Sequence, residues 1–174
     1  KIFINGKEVT INTPKDAIRA GIGLVTEDRK QSGCFLPLSI RLNTVMAALP
    51  QHCKGPFVHQ KKTGESAAAI KETLAVKAPS TETIISNLSG GNQQKVLIGR
   101  WLLTEPEILI FDEPTRGIDV GSKAEIHRMI SDLAKQGKCI IMVSSELPEV
   151  MGMSDRILVM HEGELTGFVD RKDF

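Results

Sequence analysis

Residues 108–119 read ILIFDEPTRGID. Ile108-Leu109-Ile110-Phe111 is short and wholly apolar, as in a central strand of a parallel sheet. It ends in two adjacent carboxylates, Asp112 and Glu113. Ligands of open α/β sheets bind beyond the carboxyl ends of the strands. There one carboxylate can hold Mg²⁺, directly or through water, and the next can orient or deprotonate an attacking water. Taken alone, the pair is equally what is met where a strand simply reaches solvent.

A second segment lies upstream. Residues 88–95 read LSGGNQQK, and Ser89-Gly90-Gly91 leads directly into a helical pattern. Glycines let a backbone approach a phosphate closely, and the free N–H groups of a helix start point at it. Ser-Gly is also a common plain helix entry. Downstream, Ile126, Met129, Ile130, Leu133 and Ala134 are spaced by threes and fours and predict a helix that Gly137 ends. Residues 139–143 predict a second buried strand. Residues 157–160 and 164–169 predict two more, joined by a turn at Glu162-Gly163. Such alternation implies a layered sheet with helices on its faces.

The N-terminal part is also α/β in character. Asn5-Gly6 between two alternating runs predicts a hairpin. Thr13-Pro14-Lys15-Asp16 opens a short helix. Residues 22–26 read as a buried strand, followed by Glu27-Asp28-Arg29-Lys30. Between about 32 and 87 the character changes. Two helical patterns, about 40–49 and 66–76, flank a polar stretch with Gly55-Pro56, and no strand is expected there.

Composition bounds the function. The chain has 174 residues, 41% of them apolar and 25% charged, with net charge +1. These values suit a globular domain and exclude a disordered or low-complexity segment. They give no sign of binding to nucleic acid or to an anionic membrane surface. No apolar run approaches the ~20 residues of a membrane-spanning helix, and no signal peptide is evident. Cys34, Cys53 and Cys139 are odd in number and scattered, which suits a reducing cytoplasm. His52, His59, His127 and His161 lack metal-ligand spacing and read as surface or structural. Trp101 reads as a packing residue.

Taken together, LSGGNQQK, an apolar strand ending in DEP and a Gly-Ile-Asp turn resemble the nucleotide-binding domain of an ATP-binding cassette (ABC) ATPase. LSGGNQQK resembles the ABC signature, residues 108–113 the Walker B strand, and residues 117–119 the D-loop. VTEDRK (25–30), EPTRGIDVG (113–121) and SSELPEV (144–150) extend the resemblance to the C-terminal cassette of bacterial monosaccharide importers. The resemblance implies an α/β P-loop NTPase core, incomplete at its N-terminus, formed by 1–34 and 96–174. Residues 35–95 would be an inserted helical subdomain that touches the membrane permease and ends in the signature.

It also implies ATP and Mg²⁺ as cofactors. Glu113 and Ser145 would be catalytic. Ser89, Gly90, Gly91, Gln93, Asp119 and Glu27 would meet nucleotide, and Asp112 and Glu27 the metal. The implied partners are a second cassette held head to tail, permease subunits and, indirectly, a periplasmic sugar-binding protein, without nucleic acid. The implied place is the cytoplasmic face of the inner membrane, held peripherally.

The chain departs from a complete ATPase in three respects. G-x-x-x-x-G-K-S/T is absent, so the chain is expected to begin downstream of it and to bind ATP weakly or not at all by itself. Micromolar affinity needs about 8 kcal/mol, whereas a helix terminus contributes at most about 2 kcal/mol toward an anion. Glu27 stands where a typical cassette has Gln, and Ser145 where it has His. Serine cannot titrate near neutrality as histidine does. The expected division of labour places Ser89, Gly90 and Gly91 in trans on the other cassette's ATP, with Asp112 and Glu113 in cis; Ser145→Ala should then do little. Two alternatives are a catalytically silent structural cassette and a soluble ABC ATPase without a permease.

Overall fold

The computed structural model describes residues 1–174. The chain runs β1 (Ile2–Ile4), β2 (Lys7–Val9), α1 (Pro14–Arg19), β3 (Ile22–Val25), α2 (Ile40–Val45), β4 (Cys53–Lys54), β5 (Phe57–Val58) and α3 (Gln60–Thr73). It continues α4 (Gly90–Leu102), β6 (Ile108–Asp112), α5 (Val120–Lys135), β7 (Cys139–Val143), α6 (Leu147–Met153), β8 (Arg156–His161) and β9 (Glu164–Asp170).

The central sheet has three parallel strands in the order β3-β6-β7. Strand β6 lies in the middle, with Leu109 and Phe111 fully buried. Burial of each such side chain contributes about 1.5–3 kcal/mol. Val25, Phe111 and Met142 are in register on the covered face. On the other face, Leu24 and Ile141 flank Ile110 and are about half exposed. The expectation of helices on both faces is corrected: this chain covers one. The β7 strand is correspondingly half-buried at the sheet edge rather than buried.

The β8–β9 ribbon pairs only with itself, and Leu158, Met160, Leu165 and Phe168 are exposed on it. The expectation that these strands are buried in the sheet is therefore overturned. Their apolar content, without a turn that returns them to β7, predicted burial that the topology does not provide. Strands β4 and β5 form a two-residue hairpin about Gly55-Pro56 where none was expected. Two residues are too few to show a period.

Helix α4 organises the rest. Every residue from Gln93 to Arg100 is buried, so the helix is enclosed all round. Its glycines allow this: a Cβ on Gly91 would meet the Cβ of Ser122 on α5 at 2.5 Å, and one on Gly99 would overlap Ile70 of α3. Arg100 is 7% exposed and donates to the carbonyls of Asn43 and Gly33 and to Asn43 Oδ1, with Phe35 stacked 5.3 Å away. One apolar core runs from Val25 and Phe111 through Leu97 to Ile40 and Ile70. The expected boundary at 95–96 thus falls inside one continuous helix.

Candidate active site at the strand ends

Parallel pairing brings the carboxyl ends of β3, β6 and β7 to one edge. Register alone sets the residues that follow each strand side by side: Glu27 after β3, Glu113 after β6, Ser144 and Ser145 after β7. Glu113 sits just past Asp112 in left-handed backbone conformation, with φ of 46°. A non-glycine residue held there carries strain of the kind concentrated at functional sites. Two contacts hold it. The Glu113 N–H donates to the Val143 carbonyl at 2.9 Å, and the Ser145 N–H donates to Glu113 Oε1 at 2.7 Å. Ser145 therefore meets Glu113 through main chain.

The Asp112 carboxylate, half-buried at the end of β6, makes no hydrogen bond or ion pair within the chain, whereas Glu27 is ion-paired with Arg116. No group of three or more His, Cys, Asp or Glu side chains is placed to hold a metal by itself. Mg²⁺ is usually held by one or two carboxylates together with waters and substrate phosphates. Asp112 fits that pattern, and Glu27 is engaged by Arg116.

The glycine segment is built differently. Ser89 is the N-cap of α4 with extended backbone, and its hydroxyl accepts from Asn92 Nδ2 rather than capping the helix. A Cβ on Gly90 would lie 3.0 Å from the Arg29 guanidinium and 3.3 Å from the Gly117 carbonyl. Arg29 itself donates to Gln93 Oε1 and toward the carbonyls of Arg116 and Gly117. It braces the start of α4 against the loop after β6, a role its place in a charged run did not suggest.

Two expected nucleotide ligands are spoken for. Gln93 is buried, accepts from Arg29 and donates to the carbonyls of Ile85 and Leu88. Its whole amide is satisfied inside the chain. The Asp119 side chain caps α5 by accepting from the Ser122 N–H at 3.0 Å. Those hydrogen bonds from Ser122 hold its carboxyl below the ordinary range.

A further group was not anticipated. Glu149 of α6 is buried, and its Oε1 accepts from Thr115 at 2.8 Å and meets His127 Nε2 at 2.5 Å. Its Oε2 accepts from the Ser144 hydroxyl at 2.5 Å. Burial pushes its carboxyl up, but the bonds from Ser144, His127 and Thr115 outweigh this and hold it below the ordinary value.

The three-stranded parallel sheet thus carries paired carboxylates at its carboxyl edge, in a chain that also has a glycine-led helix. The sequence profile described as ABC transporter matches residues 1–116. The chain belongs to the ABC transporter family. It is 57% identical over 173 residues to a protein of Hahella chejuensis named for ribose/galactose/methyl galactoside import ATP binding, covering 99% of this chain and 34% of that protein. A Geobacillus kaustophilus protein of the same name is 54% identical over 172 residues, covering 99% and 34%. The chain thus spans about a third of the length of the curated relatives it matches. Among solved structures, a nucleotide-free ATP-binding cassette from an ABC transporter superposes with TM-score 0.81 at 21% identity, covering 97% of this chain and 68% of that one. A dimeric cassette bound to ADP and phosphate gives 0.78 at 20% identity, covering 99% and 73%. These two likenesses concern the fold. No helix is long and apolar enough to cross a membrane.

Proposed function

We propose that the full-length protein containing this chain is the ATP-hydrolysing motor of an importer for monosaccharides of the ribose and galactose type. The observation that carries the reading is the Glu113 carboxylate, held by the Ser145 N–H beside an unpaired Asp112. A carboxylate so held can orient the attacking water, while Asp112 holds Mg²⁺ that arrives with ATP. The names of the relatives support the choice of cargo. Ser89, Gly90 and Gly91 act in trans on nucleotide held by a second cassette, toward which Ser89 is exposed at the start of α4. The partners are that cassette, permease subunits and, through them, a sugar-binding protein. The motor sits peripherally on the cytoplasmic face of the membrane.

The test is ATP hydrolysis and sugar uptake by the full-length protein assembled with its permease. Glu113→Gln keeps shape and removes the base. It should lower Mg²⁺-dependent turnover at this site, and a bulky residue at position 90 should abolish uptake. Turnover and uptake unaffected by both changes would overturn the proposal.

A further inference from the structure

Four segments meet at one carboxylate. Glu149 reaches from α6 to Thr115 in the loop after β6, to His127 on α5 and to Ser144 in the loop after β7. Thr115 lies two residues beyond Glu113, and Ser144 lies one residue before the N–H that holds Glu113. The two loops have no other buried side-chain tie of this kind: Thr115 and Glu149 are 2% and 6% exposed, and each bond made by the carboxylate is 2.8 Å or shorter. Ser144 is further fixed because its hydroxyl accepts from the Glu146 N–H.

We infer that Glu149, through Ser144 and Thr115, is the positioning residue for Glu113, locking the two loops so that the Ser145 N–H meets its carboxylate. The inference rests on the proposed role of Glu113. Geometry gives the reason. Glu113 is in a strained conformation, and such strain persists only where the surroundings over-determine it. The β6 side is secured at Thr115 and the β7 side at Ser144, both to one buried anion. If either hydroxyl is lost, the loops can move apart and the Glu113 side chain can leave the Ser145 N–H. A 1 Å displacement of a catalytic group is costly. His127 completes the partners of the anion and restrains it from the α5 side.

The experiment uses the full-length protein and two readouts. The first is hydrogen exchange at the Ser145 amide. The second is kcat and KM for ATP with turnover at the other cassette's site disabled. Thr115→Val keeps the shape and removes the hydroxyl, whereas Thr115→Ser keeps the hydroxyl. Ser144→Ala removes the other tie. Thr115→Val and Ser144→Ala should each speed exchange about ten-fold, the worth of one hydrogen bond to a charged group. They should lower kcat by a similar factor with KM within about two-fold, the mark of an interaction made in the transition state. Thr115→Ser should restore both readouts.

Unchanged exchange in Thr115→Val and Ser144→Ala would overturn the inference. So would faster exchange with unchanged kcat in a protein that Glu113→Gln inactivates. Turnover indifferent to Glu113→Gln would instead sink the role of Glu113, and the positioning claim with it, whatever the exchange shows.

Discussion

The Ser145 N–H lies 2.7 Å from Glu113 Oε1, while the Ser145 side chain itself is exposed. The contact between the ends of β6 and β7 is therefore made by main chain. A donor supplied by the backbone tolerates many side chains at 145 but not the one residue without an N–H. Losing a hydrogen bond to a charged group costs about 1.5–3 kcal/mol, roughly ten-fold or more in rate. Ser145→Pro should accordingly lower kcat at this site at least about ten-fold more than Ser145→Ala does. Steady-state hydrolysis by the full-length protein checks this.

Glycines in the helices separate by what surrounds them. A Cβ at Gly91 collides with Ser122, whereas one at Gly64, inside α3, meets nothing within 4 Å. Gly91→Ala should destabilise by about 1–3 kcal/mol through overpacking. Gly64→Ala should stabilise by about 0.5–1 kcal/mol, because alanine loses less backbone entropy in a helix. Urea unfolding of this chain would show the two midpoints moving in opposite directions.

Arg100 is a buried guanidinium whose partners are three carbonyl-type oxygens from Gly33 and Asn43. Arg100→Met should cost about 3 kcal/mol or more, since each orphaned buried acceptor costs about 1–3 kcal/mol. Arg100→Lys should recover little of it, because an ammonium cannot reproduce the planar fork. The same urea midpoints decide the matter; a wild-type midpoint for Arg100→Lys would contradict this account.

The carboxyl of Glu149 is held below its ordinary value of 4.5. A group with a lowered folded pKa binds fewer protons folded than unfolded. Its contribution is then fully present above that ordinary value and is lost as pH falls through the folded one. Glu149→Gln should lower stability at neutral pH and flatten the fall in stability below about pH 4.5. Unfolding free energies measured from pH 7 down to 3 test this; equal slopes in the two proteins would count against it.

The polarity and periodicity of short segments carried much of this fold into the sequence. The run 108–111 with its carboxylates predicted β6 and the site edge, and the spacing from Ile126 to Leu133 predicted α5. The Asn5-Gly6 and Glu162-Gly163 turns were legible because left-handed backbone is needed there, with φ of 51° and 76° at the first pair. Glu149 was not legible. In SSELPEV a glutamate reads as solvent-facing, and nothing local connects positions 115, 127, 144 and 149. That convergence exists only once β6 and β7 pair and α6 folds back. Gln93, implied as a nucleotide contact by the family resemblance alone, is buried with its amide bonded to Arg29 and to the Ile85 and Leu88 carbonyls, a placement that no local pattern announced. The exposed apolar residues of β8 and β9 show that hydrophobic content predicts a strand better than it predicts what covers it.

The enclosure of α4 has a mechanical consequence. Thirteen residues of helix make a rod about 20 Å long, gripped along its length and carrying Ser89 at one tip. Its far end is pinned by Arg100 to the turn at Gly33, just past β3, and to Asn43. A load applied to the glycine tip therefore cannot be absorbed by bending. At its other end the helix is tied through Arg100 to the carbonyls of Gly33 and Asn43, so its two ends and the segment 33–43 form one braced unit.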